Sequence, residues 1–61
     1  DKEFIRFLYI AQASCSEVKS MLYLSNRLSY LDNETTTKFV ANANEIGKII
    51  RGLIKSLTPQ T

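Results

Sequence analysis

Apolar residues recur along this chain in two runs with a period near that of an α-helix. In the first run Phe4, Leu8, Ala11, Cys15, Val18 and Leu22 follow one another at alternating spacings of four and three, which places them on one helical face. Positions 1–29 contain neither Gly nor Pro, the strongest local punctuators, so the pattern predicts a helix from about Lys2 to Ser29. Asp1 and Glu3 put negative charge at its N-terminus, where the helix dipole favours it. In the second run Phe39, Ala43, Ile46, Ile50, Leu53 and Leu57 repeat the spacing and predict a helix over about 33–57. Between the two stands the corner Tyr30-Leu31-Asp32-Asn33, where Asp32 or Asn33 can cap the second helix. Glu34 adds first-turn negative charge and is expected to pair with Lys38 one turn on. Pro59 is expected to stop the helix, with Lys55 in its last turn. So short a connection makes the helices antiparallel neighbours. The fold class is therefore all-α, an antiparallel helical hairpin, with Val18 and Leu22 expected against Ala43, Ile46 or Ile50.

The apolar surface exceeds what a hairpin can bury. Beside the main stripe of the first helix lies a second arc, Phe7, Ile10, Met21, Leu24 and Leu28, and a looser group of Ile5, Tyr9 and Tyr23. The second helix has Val40, Gly47 and Ile54 on one flank of its stripe and Ile49 on the other. One partner helix covers one stripe. Ile10, Met21, Leu24 and Leu28 should therefore contact another helix, supplied by further chain or by a copy of this one. Glu17 projects beside that arc, and two readings stand: a rim carboxylate reaching water, or a partner for a basic side chain on another helix or subunit. Gly47 flanks the apolar stripe, which favours close helix approach over a neutral surface glycine. Gly52 falls near the polar side, and Lys19 is expected to matter little.

Composition removes most chemistry. With 61 residues the chain is about half a typical domain. It has one Cys and no His, so an internal disulfide, an ordinary zinc site and a His-based triad are all excluded. Ser14, Ser16, Ser20, Ser25 and Ser29 have no partner base at a recognisable spacing, and Cys15 sits mid-stripe as a small hydrophobe. Glu17 and Glu45 can face one another, but a carboxylate metal bundle also needs Glu-x-x-His pairs. No catalytic residue, metal or cofactor is expected. No apolar run approaches the roughly 20 residues that cross a bilayer, and no secretory signal pattern is present, so the expectation is a cytoplasmic protein without a membrane partner. The first residue is not Met, which suggests a fragment or processed chain. Eight Lys and Arg against six Asp and Glu give a net charge of +2, too small by itself to imply nucleic acid. Lys48, Arg51 and Lys55 nevertheless fall within about 60° of one another, nearly opposite Phe39 and Ile50. A solvated back face explains them, and so does a phosphate-contacting stripe that oligomerisation would multiply. Exposed Tyr9 or Tyr23 would add stacking in the second case.

The run Lys2-Glu3-Phe4-Ile5-Arg6-Phe7-Leu8-Tyr9-Ile10-Ala11, followed by Ser14 and Glu17, closely resembles the bacterial four-helix-bundle family encoded by 23S rRNA intervening sequences. The corner Tyr30-Leu31 and the helix end Gly52-Leu53-Ile54-Lys55-Ser56-Leu57 fit the C-terminal half of that family. The resemblance implies half of an up-down four-helix bundle, with this chain as helices three and four, and assembly of the whole as a homopentamer. The remaining bundle helices would then cover the surplus arcs. The family has no settled enzymatic activity. A related branch, the accessory variability determinant of diversity-generating retroelements, binds reverse transcriptase and nucleic acid through basic surface. The reading that follows is a non-catalytic, oligomerising bundle protein associated with RNA. The alternatives are a purely structural protein–protein assembly module, a reverse-transcriptase accessory protein, or an enzyme whose residues lie outside this sequence.

Overall fold

A computed structural model describes residues 2–58. Among them are two helices, α1 (Lys2–Arg27) and α2 (Asn33–Leu57), packed along their lengths as a hairpin, and no strand. Pro59, expected to stop α2, lies outside the described residues. The helix closes with Thr58 as C-cap, whose N–H and hydroxyl both donate to the carbonyl of Ile54, at 2.9 and 2.6 Å.

The corner is built from local hydrogen bonds. α1 ends at Arg27, two residues before the expected Ser29, because Ser29 turns left-handed with φ of 67°. The Tyr30 N–H then donates to the Ser25 carbonyl at 2.9 Å and the Ser29 N–H to that of Asn26 at 3.0 Å. This pair of bonds is the Schellman closure, and it usually takes glycine where Ser29 stands. Asp32 caps α2, its carboxylate accepting from the Thr35 N–H at 2.7 Å. Asn33, the other candidate cap, is already helical and accepts from the Asn26 amide at 2.8 Å, while the same amide donates to the Leu31 carbonyl at 3.1 Å. Asn26 thus ties the end of α1 to the start of α2, a role its sequence position did not suggest. Glu34 and Lys38 form no ion pair among the described residues.

Leu8, Ile50 and Ile54 form a buried cluster in the part of the seam toward the open end, with Ala11 and Cys15 packed against them. Thr36, Val40, Ala43 and Gly47 continue it along α2. Thr36 can be buried because its hydroxyl donates to the Asp32 carbonyl at 2.8 Å. The seam corrects the face read from spacing. Of the stripe assigned to α2, Ala43 and Ile50 are in it, whereas Phe39, Ile46, Leu53 and Leu57 are exposed. On α1, Phe4 and Val18 are about half exposed, while Ile5, Gln12, Lys19 and Leu22 are half-buried. Val18 and Ile46 are therefore not seam residues. Each helix is turned by roughly 40–60° from its most apolar line, at about 100° per residue. Helix axes pack about 8–10 Å apart, the distance depending on the side chains at the contact; Val40, Ala43 and Ile54 stand along it, where Phe39 and Leu53 would hold the axes further apart.

The hairpin is long and thin, 46 × 16 × 15 Å, with a radius of gyration of 14.2 Å against about 10.5 Å for a compact chain of this length. Its accessible surface is 5064 Å², about 1,000 Å² more than a folded monomer of this mass exposes. Among the described residues no large side chain is fully buried.

Candidate nucleic-acid interface and assembly face

The turn of both helices away from their apolar lines gives the hairpin two unlike flanks. The Lys19 ammonium donates to Asn44 Oδ1 at 2.9 Å, which marks the sides of α1 and α2 that lie together. On that polar flank a hollow is lined by Gln12, Ser16 and Lys19 from α1 and by Asn44, Lys48 and Arg51 from α2, with Cys15, Ala43 and Gly47 as its floor. An adjoining hollow toward the open end is lined by Tyr9, Gln12, Arg51, Gly52, Ile54 and Lys55. Going round each helix the other way brings Phe4, Phe7 and Val18 of α1 to the same side as Phe39, Ile46 and Leu53 of α2.

Lys48, Arg51 and Lys55 are all exposed. Their stripe borders the seam beside Gln12, not the back of the hairpin: Arg51 and Lys55 share a hollow with buried Ile54, and Lys48 and Arg51 share one with buried Ala43. Lys19 joins the stripe from α1 and is held by Asn44, so it is not an indifferent surface residue. Only the register of the two helices, which spacing does not give, reveals that neighbourhood. Tyr9 is brought to Arg51 and Lys55. Tyr23 is not: it lines a separate hollow with Ser20, Leu24, Asn26 and Arg27.

Ile10, Met21, Leu24 and Leu28 are each about half exposed or more, and Ile10 borders a shallow hollow with Glu3, Arg6 and Phe7. Glu17 is exposed and forms no ion pair among the described residues. The Ser14 hydroxyl returns to the Ile10 carbonyl at 3.0 Å. Gly47 is buried, yet a Cβ there would meet nothing within 4 Å, so α1 and α2 make no close approach at Gly47 among the described residues. Gly52 is exposed with the same freedom. Among the described residues no group of His, Cys, Asp and Glu is placed to hold a metal, and no helix is long and apolar enough to cross a membrane.

The family model described as 23S rRNA-intervening sequence protein matches residues 1–52. The chain belongs to this family. The match includes the whole of α1, the corner and α2 as far as Gly52. Of the basic stripe, Lys48 and Arg51 lie inside it and Lys55 lies beyond it. In this member of the 23S rRNA-intervening sequence family the matched residues therefore carry all of the apolar flank but Leu53 and the whole polar hollow that Lys19 and Asn44 border. No match was found among curated proteins or among solved structures.

Proposed function

We propose that this chain is a non-catalytic assembly element that supplies helices three and four of a four-helix bundle, and that the bundle forms a homo-oligomer and associates with RNA. The observation that carries assembly is the apolar flank. Phe4, Val18, Phe39 and Ile46 lie on one side of the seam, each about half exposed, in a molecule with excess surface for its mass. Soluble monomers seldom leave apolar patches of that extent in water. The remaining bundle helices and neighbouring copies would cover this flank and the arc of Ile10, Met21, Leu24 and Leu28, with Glu17 at its rim. The pentameric state is the one the family resemblance implies. Light scattering coupled to size exclusion, on the full-length protein, tests this. Leu24→Glu should reduce the assembled mass or the stability, and Lys38→Glu, at an exposed position away from both flanks, should not. A stable monomer with Ile10 and Leu24 bare to solvent would overturn the reading.

RNA association is supported by Lys48, Arg51 and Lys55 standing beside Lys19 with no carboxylate in either lining. Phosphate contacts of this kind bind without strong sequence preference and weaken steeply with salt. Equal RNA affinity of the wild type and a variant with all three stripe residues changed to Ala would remove the stripe from the function.

A further inference from the structure

The two hollows of the polar flank share Gln12 and Arg51, so they adjoin across these two side chains as the two parts of one groove. Its two parts differ in chemistry. The part nearer the corner presents Lys19, Lys48 and Arg51 among the neutral polar groups of Gln12, Ser16 and Asn44. The part nearer the open end presents the ring of Tyr9, itself 55% exposed, against Ile54 and Gly52, with Arg51 and Lys55 at its edge. Lys48, Arg51 and Lys55 have no ion pair or side-chain hydrogen bond among the described residues. Lys19 spends its bond on a neutral amide. Four cations gathered without a countercharge repel one another, and protein surfaces ordinarily intersperse the two signs. The arrangement suits an anion that also carries a flat apolar group.

We propose that this groove binds single-stranded nucleic acid, one nucleotide spanning both parts. The phosphate lies among Lys19, Lys48 and Arg51, and the base lies on Tyr9. Arg51 stands at the junction, where its planar guanidinium meets phosphate oxygens in a forked geometry. Lys48, Arg51 and Lys55 succeed one another at about one helical turn, a rise of roughly 5 Å each, similar to the step between phosphates on an extended strand. A duplex keeps its bases stacked inside and offers Tyr9 no free face, whereas unpaired bases stack on aromatic side chains. This site rests on the RNA-association reading above and adds to it the strand form and the α1 residues Tyr9 and Lys19.

The test titrates the full-length protein with three labelled probes of equal length: a uridine RNA strand, the same ribose-phosphate strand without bases, and an RNA duplex. Binding is followed by fluorescence polarisation at several salt concentrations. Arg51→Gln and Lys48→Gln should each weaken both single strands and flatten the salt dependence by about 0.7 in log–log slope. Tyr9→Leu should weaken the uridine strand about fivefold or more and leave the base-free strand unchanged. Tyr9→Phe keeps the ring and should keep the uridine affinity, which separates stacking from misfolding. Lys38→Gln removes the same charge outside the groove and should do less than Arg51→Gln. The groove proposal falls, while RNA association stands, if Lys38→Gln is as damaging as Arg51→Gln, if Tyr9→Leu affects both strands alike, or if the duplex binds as tightly as the uridine strand. Failure of the wild type to bind any of the three overturns both.

Discussion

Along one flank of the seam Lys19 reaches over to Asn44, and polar side chains from both helices line a groove. Along the other, Phe4, Val18, Phe39 and Ile46 stand about half exposed. The same two helices build both, so the difference comes from how each is turned about its axis. A hairpin folding by itself would set its most apolar lines face to face, since burying one such side chain is worth about 1.5–3 kcal/mol. This one sets a line of smaller residues in the seam and keeps its bulkier ones to one side. That choice is sensible when the larger residues are to be buried against something else.

The sharpest way to break the comparison is a pair of truncations on α2. Ile50 is in the seam and Ile46, one turn earlier, is on the apolar flank. Ile50→Ala should cost roughly 2–5 kcal/mol at any protein concentration, because it leaves a gap in the core of the hairpin itself. Ile46→Ala should cost little where the protein is dilute and dissociated, and progressively more as it assembles, since its burial depends on a partner. Chemical denaturation at several protein concentrations reads both. Equal, concentration-independent losses would mean that the seam is the one the spacing suggests, with Ile46 and Ile50 both in it.

The polar flank yields a smaller effect of opposite sign. Gly47 lies inside α2 with nothing within 4 Å of a Cβ built there, and glycine within a helix costs about 1 kcal/mol relative to alanine. Gly47→Ala should therefore stabilise the protein by about that amount and leave its assembled mass unchanged, as thermal melting and light scattering would show. A loss of mass would place another helix against Gly47 and turn the polar flank into an interface.

How much of this could be read from the residues depends on the kind of signal. The hairpin was legible because the period of Phe4 to Leu22 and of Phe39 to Leu57 is local, as is the break at Tyr30-Leu31-Asp32-Asn33. The surplus of apolar arcs was legible too, since counting needs no contact. The choice among arcs was not. Val40, Gly47 and Ile54 read as a flank because hydrophobicity ranks Phe39 and Leu53 above them, while helix packing ranks by size and shape. The basic stripe was visible on α2 alone; Lys19 and Tyr9 join it only through the register between helices. Asn26 and Thr36 leave no signal in the spacing, because their roles lie in hydrogen bonds to groups of the corner.

The smallest expected effect concerns that corner, which closes the hairpin without belonging to either flank. The Thr35 side chain, and then the Thr35 N–H, donate to the Asp32 carboxylate and hold its pKa below the usual carboxylate range, against a slight opposing effect of burial. A pKa lowered by folding means that the folded state favours the ionised form. The stabilisation is then fully present above the unfolded-state value, about 4 for aspartate, and is lost as pH falls through the lower folded value. Melting temperature followed by circular dichroism should therefore decline below about pH 4. Asp32→Asn retains an oxygen that caps the Thr35 N–H but has no proton to gain. Its decline over the same window should be shallower, and its assembled mass and RNA affinity near neutral pH should match the wild type, because neither flank includes the corner. Superimposable acid profiles would show that Asp32 does not govern this window. A changed mass at neutral pH would show instead that the corner takes part in assembly, and that the two flanks are not the only surfaces this hairpin uses.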